Sequence, residues 1–135
     1  MRDNVRDIVK NGRLEELVSD LALFKETVDG FMAMFDREVY DCILATDRIS
    51  SMFAAVIADR MGRCVVLSPD AIGKRRVIIM SDSLGNGQSL KECAERIESE
   101  GGEVLRIGCI VERKEEGARK SKILRPYPFE ALVEI

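Results

Sequence analysis

Histidine and tryptophan are both absent from the 135 residues of this chain. Without histidine, neither Ser-His-Asp nor Cys-His catalysis is available, and the usual imidazole zinc sites are excluded. Any chemistry must therefore come from carboxylates, lysine, arginine, hydroxyl groups and backbone amides. A surplus of positive charge is also missing, since 21 basic residues stand against 24 acidic ones. This balance gives no reason to expect binding to nucleic acid or to an anionic membrane surface.

The cysteines offer no metal-binding or redox motif. Cys42, Cys64, Cys93 and Cys109 lie far apart, and no C-x-x-C pair occurs. Each has apolar neighbours, which predicts four buried free thiols. No stretch reaches the roughly 18 apolar residues that a membrane span requires, and residues 1–4 do not begin a signal peptide. The expected compartment is a reducing cytoplasm, with no membrane partner.

Short unbroken apolar runs alternate with amphipathic stretches along most of the chain. The first forty residues have apolar side chains at helical spacing, with a break near Ser19 and Asp20, either of which could cap a helix. Two later helices are predicted to end at Gly62 and at Gly101. The predicted strands are residues 40–45, 64–67, 77–80, 104–111 and 131–135.

This order predicts one α/β domain that spans residues 1–135. Continuous hydrophobicity along a strand is typical of burial on both faces of a sheet. We therefore expect a mostly parallel five-stranded sheet with helices on both faces, preceded by an N-terminal helical segment.

Residues 76–90 carry the candidate chemistry, because a buried strand there leads through an acid into a glycine-bearing loop and then directly into a helix. Ligands of open α/β sheets bind beyond the carboxyl ends of strands. Gly85 and Gly87 allow backbone N–H groups to converge at the positive end of the helix, so a phosphate is the expected ligand. Asp82 would then face the group that carries the phosphate. The predicted phosphate-binding residues are Ser83, Leu84, Gly85, Asn86, Gly87, Gln88 and Ser89.

Other interpretations of these polar segments stay open. The loop could be only a capped turn between strand and helix, with Ser89 or Asn86 as the cap and Asp82 incidental. It is neither a Walker A loop nor a dinucleotide fingerprint, since it lacks the Lys-Ser/Thr pair and the third glycine. The charged segment 112–122 is expected to be a solvated connection, and a flap that covers a substrate is the alternative.

The segment VIIMSDSLGNGQSL at residues 77–90 resembles the hallmark motif of the type I phosphoribosyltransferases. In that family an apolar strand leads into two acids, two further residues and then typically Thr-Thr-Gly-Gly-Ser/Thr. The likeness covers nearly the whole chain and is greatest to adenine phosphoribosyltransferases. The other matching segments are residues 17–21, 28–31, 43–48, 53–62 and 127–134.

The resemblance implies binding of 5-phosphoribosyl 1-pyrophosphate or of a nucleoside monophosphate. The loop amides and Ser89 would hold the 5-phosphate, and Asp82, which matches the second acid, would accept hydrogen bonds from the ribose hydroxyls. A magnesium ion would bridge the diphosphate oxygens, with no metal held directly by the protein. The implied diphosphate-binding residues are Thr46, Asp47, Arg48, Ile49 and Ser50.

The implied reaction is transfer of the phosphoribosyl group to a purine base, as in nucleotide salvage. Displacement at the anomeric carbon passes through a cation-like sugar, so the protein acts by charge stabilisation and positioning. The residues expected to carry this role are Asp82, Asp47 and Arg48. Ser81 stands where the family has its first acid, which halves the expected recognition of ribose. Gln88 stands at the second glycine of the loop, and the phosphate geometry stays plausible.

The family's long mobile hairpin is reduced here to about residues 68–74, with only Lys74, Arg75 and Arg76 beside it. A link this short reaches about 26 Å, so either it is nearly straight or one strand is antiparallel. A site without a lid admits water to a reactive sugar cation, which favours hydrolysis or inactivity over efficient transfer.

Two functions follow from these observations. One is a purine-type phosphoribosyltransferase with weak or lost activity, acting as a homodimer in which a partner subunit's loop completes the site. The other is a non-catalytic module that senses a phosphoribosyl or nucleotide ligand. A scaffold without a ligand is a third interpretation. The residues do not specify the base.

Overall fold

The computed structural model describes residues 3–135, with the side chains of residues 3 and 4 left out, so the predictions for the extreme N-terminus lie outside the described residues. The helices in the described chain are α1 Asp3–Lys10, α2 Glu16–Ser19, α3 Leu21–Phe35, α4 Arg48–Met61, α5 Gln88–Ser99 and α6 Ala118–Ser121. The strands are β1 Cys42–Ala45, β2 Cys64–Val66, β3 Arg76–Leu84, β4 Glu103–Glu112 and β5 Phe129–Glu134. Short 3₁₀ turns lie at Pro69–Ala71 and Lys114–Glu116. Within residues 3–135, no helix is both long and apolar enough to cross a membrane.

The five strands form one sheet in the order β2-β1-β3-β4-β5, and every neighbouring pair is parallel. This confirms the predicted α/β class and sheet, and it excludes the antiparallel alternative for the strand after the short link. The link, residues 67–75, suffices because β2 is only three residues long, so the chain returns over a short distance. All carboxyl ends of the strands therefore meet at one edge of the sheet.

Helices cover both faces of the sheet, as predicted. Along β3, Ile78 and Met80 pack into a core shared with α1, α3 and α4. Val77 and Ile79 alternate with them and pack into a second core under α5 and α6. The period-two alternation of side chains along a strand explains why an unbroken apolar run serves both cores.

The helix boundaries follow the predicted capping signals. The carboxylate of Asp20 accepts a hydrogen bond from the Leu23 N–H at 3.0 Å and begins α3, which confirms the break near Ser19. Gly62 ends α4 with a left-handed φ of 68°, a conformation that glycine adopts at little cost. Gly12, also with positive φ, adds an earlier break after α1 that was not predicted.

The third strand is longer than predicted. The sequence places a polar loop directly after Met80, whereas β3 continues to Leu84. Pairing with β4 extends this far, with Ser81 opposite Cys109 and Ser83 opposite Val111. The candidate acid Asp82 is therefore fixed in a strand and not in a loop.

The prediction of four buried thiols is only half right. All four cysteines are free, and Cys42 and Cys109 are buried. Cys64 is exposed and Cys93 is partly exposed. Cys64 begins β2, which is an edge strand, so the apolar run there does not lie in the middle of the sheet.

Candidate functional site

A cleft of about 530 Å³ opens at the carboxyl edge of the sheet, beside the ends of β1 and β3. It lies where parallel α/β sheets bind their ligands. The wall opposite the strand ends includes Leu67 and Pro69 of the short link, and Glu116. The predicted site residues that line the cleft are Thr46, Asp47, Asp82, Ser83, Leu84, Gly85, Asn86, Gly87 and Ser89.

The loop between β3 and α5 offers hydrogen-bond donors to this cleft. Gly87 occupies the N-cap position of α5 with φ 87°, and no side chain caps the helix from that position. Within residues 3–135, the backbone N–H groups of Gly85, Asn86 and Gly87 have no acceptor. Free N–H groups at the start of a helix form a site for an anion, because the helix dipole adds to their positive ends.

The capped-turn interpretation accounts for Asn86 but not for Ser89. Asn86 Oδ1 accepts a hydrogen bond from the Gln88 N–H at 2.9 Å, so this side chain does stabilise the turn. Ser89 is already inside α5, is exposed and lines the cleft. Gln88 does not line the cleft, and its side-chain amide donates to Glu92 at 2.7 Å.

Asp47 connects the first loop to the third strand. One carboxylate oxygen accepts from the Ser50 N–H at 2.8 Å and caps α4. The other accepts from the Asp82 N–H at 2.9 Å and from the Thr46 hydroxyl at 3.0 Å. This positioning role was missed in the sequence, although an acid three residues before a serine at a helix start is a capping signal.

The structure brings only part of the predicted diphosphate-binding loop to the cleft. Thr46 and Asp47 line it, whereas Arg48 and Ile49 line a separate groove of about 150 Å³ between α2 and α4. Ser50 is buried, with its hydroxyl 3.3 Å from the carbonyl oxygen of Met80. The diphosphate-binding role of these residues stays a prediction.

Asp82 is partly buried at the carboxyl end of β3, and its Oδ1 accepts a hydrogen bond from the Ser83 hydroxyl at 3.1 Å. Burial raises the pKa of Asp82, and the nearby carboxylate of Asp47 raises it further, while the bond from Ser83 opposes the shift. The residues that line the cleft include three acids, Asp47, Asp82 and Glu116, and no lysine or arginine. The carboxylates therefore face the cleft without a compensating cation on its walls.

The three basic residues beside the short link do not line the cleft. Arg76 is the first residue of β3, eight residues before Leu84 at the carboxyl end, and its guanidinium lies 3.0 Å from Asp41. That hydrogen-bonded pair lowers the pKa of Asp41 to about 2. Arg75 donates to the carbonyl oxygen of Ala71 at 2.8 Å, and Lys74 contacts Gly101. The length of β3, with a rise of about 3.3 Å per residue, separates these side chains from the cleft.

The segment 112–122 is also more than a solvated connection. Glu112 is only 1% exposed and forms a two-pronged ion pair with Arg119, with distances of 2.8 and 3.3 Å. The Arg119 guanidinium lies 4.4 Å from the centre of the Phe129 ring. Ala118 is buried against the loop at Gly87. The segment therefore forms a packed wall beside the candidate phosphate loop.

Comparisons with known proteins agree with this geometry, although no protein-family model matches the sequence. The orotate phosphoribosyltransferase of Sulfurisphaera tokodaii is 28% identical over 141 residues, which covers 90% of this chain and 71% of that protein. The solved adenine phosphoribosyltransferase of Thermoanaerobacter pseudethanolicus gives a TM-score of 0.77 at 21% identity, covering 88% of this chain and 84% of the other. This chain has the type I phosphoribosyltransferase fold.

A further structure of that fold was solved with small molecules. The adenine phosphoribosyltransferase of Saccharomyces cerevisiae, complexed with an imino-altritol bisphosphate and adenine, has a TM-score of 0.72 and 20% identity. It matches 86% of this chain and 82% of its own. Among the side chains that the structure describes, residues 5–135, there is no group of three or more acidic or cysteine side chains able to hold a metal ion.

Proposed function

We propose that this chain binds a phosphoribosyl ligand, either 5-phosphoribosyl 1-pyrophosphate or a nucleoside monophosphate, in the cleft at the carboxyl edge of the sheet. The observation that carries the proposal is the set of unpaired N–H groups at Gly85, Asn86 and Gly87, directly after the acid Asp82. These donors suit the 5-phosphate, and the Asp82 carboxylate suits the ribose hydroxyls. The fold shared with adenine and orotate phosphoribosyltransferases supports this assignment.

The test is a calorimetric titration with phosphoribosyl pyrophosphate and with nucleoside monophosphates, each with and without magnesium. We expect binding that inorganic phosphate or sulfate competes away, because all these ligands share the loop. A crystal grown in sulfate should hold an anion against Gly85 and Gly87. A loop that stays empty in such a crystal, together with a flat titration, would contradict the proposal and favour the scaffold interpretation.

We propose that this site transfers a phosphoribosyl group to a purine base, and we expect the transfer to be slow. Ser81 replaces the first acid, and no lysine or arginine lines the cleft to stabilise a departing diphosphate. Base-dependent release of pyrophosphate should stay at least about a hundredfold below the roughly 10 per second of a typical enzyme, with every common purine and pyrimidine. Robust turnover with any one base would show that the site needs neither a second acid at position 81 nor a basic side chain on the cleft wall.

A non-catalytic ligand-binding module is the second candidate function, and the acidic cleft wall favours it. Binding of a phosphoribosyl ligand needs the loop and Asp82, whereas stabilisation of a leaving diphosphate needs positive charge that the cleft walls lack. Measurable affinity together with no pyrophosphate release would therefore assign this second function.

The proposed cofactor is magnesium carried by the diphosphate of the ligand. No acidic cluster among the described side chains can hold the ion by itself. The diphosphate would therefore position the magnesium ion, and the ion would neutralise diphosphate charge. We further propose a cytoplasmic homodimer, in which the partner subunit's loop adds to the open cleft. Sedimentation at several protein concentrations measures that state.

Replacement of Ser89 tests the phosphate site directly. Ser89→Ala should weaken binding of every phosphate-containing ligand by about 1–2 kcal/mol, the range for one hydrogen bond to a charged group, with little change in the melting temperature. Ser99→Ala is the matched control, because Ser99 ends the same helix and its hydroxyl donates to the Arg96 carbonyl oxygen. Equal affinities of the two variants would mean that the loop is only a turn between β3 and α5 and does not bind phosphate.

A further inference from the structure

An acidic side chain of this chain already lies over the loop that we propose for phosphate. Glu116 ends the 3₁₀ turn Lys114–Glu116 and lines the cleft. A Cβ atom added at Gly85 would lie 2.8 Å from Glu116 Oε1 and 3.5 Å from Oε2. The carboxylate therefore packs against the backbone of Gly85, where an anion bound by the loop amides would come close to it.

The turn that carries Glu116 is fixed to the sheet. The Arg113 N–H donates to the carbonyl oxygen of Leu84 at 2.9 Å, and the Lys114 N–H donates to that of Ile135 at 3.0 Å. These bonds hold the turn at the carboxyl ends of β3 and β5. The backbone of the turn is thus in place whether or not a ligand is bound.

The Glu116 side chain itself is only loosely held. It is about half exposed, and it accepts no hydrogen bond from any described residue, the loop amides included. Its nearest cation is Arg113, whose Nε lies 4.0 Å from Glu116 Oε2, at the limit of an ion pair. Rotation of one exposed side chain is therefore enough to move the carboxylate away from Gly85.

We propose that Glu116 is a built-in competitor for the phosphate site, which an anionic ligand must displace from Gly85. This inference rests on the proposed function of the loop. Two negative groups at the same loop repel each other, so the carboxylate lowers the affinity for any phosphate group bound there. Because the repulsion acts on the phosphate alone, it weakens inorganic phosphate and a phosphoribosyl ligand by the same factor. The affinity for inorganic phosphate and the affinity for a phosphoribosyl ligand therefore fall together, and the selectivity between the two ligands comes from the further contacts of the sugar.

The test compares the neutral variant Glu116→Gln with Glu115→Gln. Glu115 lies on the same turn and is exposed, but it does not line the cleft, so it controls for the change in net charge. The probes are inorganic phosphate and ribose 5-phosphate, titrated at one fixed ionic strength. Glu116→Gln should bind both probes about fivefold more tightly, as expected for one charge about 4 Å away in a water-like dielectric. Glu115→Gln should bind as the wild type does.

Each other outcome overturns the inference in a recognisable way. If Glu116→Gln matches the wild type while Ser89→Ala weakens binding, the competitor is refuted and the phosphate site stands. If both Gln variants gain equally, the effect is one of overall charge. If Glu116→Gln binds ribose 5-phosphate more weakly than the wild type does, Glu116 binds the sugar and does not compete with the phosphate. If neither the wild type nor the Gln variants bind either probe, the proposed competitor and the proposed function are both refuted. Glu116→Ala, checked by its melting curve, provides a second variant with the same expected gain.

Discussion

Asp82→Asn is expected to weaken binding of phosphoribosyl pyrophosphate or ribose 5-phosphate by about 1.5–3 kcal/mol, while inorganic phosphate binds almost as before. The carboxylate lies near the carboxyl end of β3, two residues before Leu84, and lines the cleft, so under the proposed function it accepts hydrogen bonds from the ribose hydroxyls. An amide oxygen accepts a weaker hydrogen bond than a carboxylate does. Calorimetric titration of both ligands against the wild type and the variant measures the contrast.

The pH dependence of stability provides a control for the folding of Asp82→Asn. Burial and the Asp47 carboxylate raise the pKa of Asp82 in the folded state, so the folded protein binds this proton more tightly than the unfolded chain does. The cost of ionising Asp82 therefore appears as pH rises from about 3.8 through the raised pKa, and it is complete once the pH lies well above that raised pKa. Asp82→Asn should accordingly melt no lower than the wild type at pH 7, and this advantage should vanish at lower pH.

The possible results for Asp82→Asn lead to different conclusions. Weaker binding of both ligands, with a lower melting temperature, would mean that the substitution disturbed the loop. Unchanged binding of both would mean that ribose is not bound at Asp82, and the phosphoribosyl assignment would fall with it.

Gly87→Ala is expected to destabilise the protein by about 2–5 kcal/mol and to abolish phosphate binding. The φ of 87° costs a side chain about 1–2 kcal/mol in this left-handed region. The new Cβ would also lie 2.7 Å from the Ile123 side chain and 3.3 Å from Ala118. Overpacking of this kind adds about 1–3 kcal/mol, and its relief must move the loop whose amides are proposed to bind the phosphate.

Gly117→Ala separates the two causes. Gly117 has nearly the same φ, 86°, but nothing lies within 4 Å of an added Cβ. Urea denaturation should therefore show a loss of only about 1–2 kcal/mol for this variant, with phosphate binding retained. Equal losses for the two alanine variants would mean that α6 does not pack tightly on the phosphate loop.

The sheet could be predicted from the sequence because its central strands are rich in apolar residues. Residues 77–80 are an unbroken apolar run buried between helices on both faces, and in 104–111 only Arg106 and Gly108 interrupt the apolar residues. The end of β3 could not be predicted in this way. Ser81 and Ser83 are polar, and they join the strand because β4 continues beside them. The exposure of Cys64 likewise depends on the order of the strands, which no local pattern encodes.

The site was predictable where its residues are close in sequence. The loop from Ser83 to Ser89 is one local motif, and the structure brings all of it except Gln88 to the cleft wall. Glu116 was missed because only the parallel pairing of β4 beside β3 brings it to Gly85. Asp47 was assigned to a ligand although it already accepts hydrogen bonds from Ser50 and Asp82.

The shortness of residues 67–75 has a kinetic consequence. Leu67 and Pro69 form a side of the cleft, and the link has no length left for a hairpin that would close over a bound ligand. A ligand therefore enters and leaves without waiting for a segment of this link to open. Under the proposed function, the association rate is then set by diffusion, by the charge at the cleft mouth and by the displacement of Glu116, and not by the opening of a hairpin in this link.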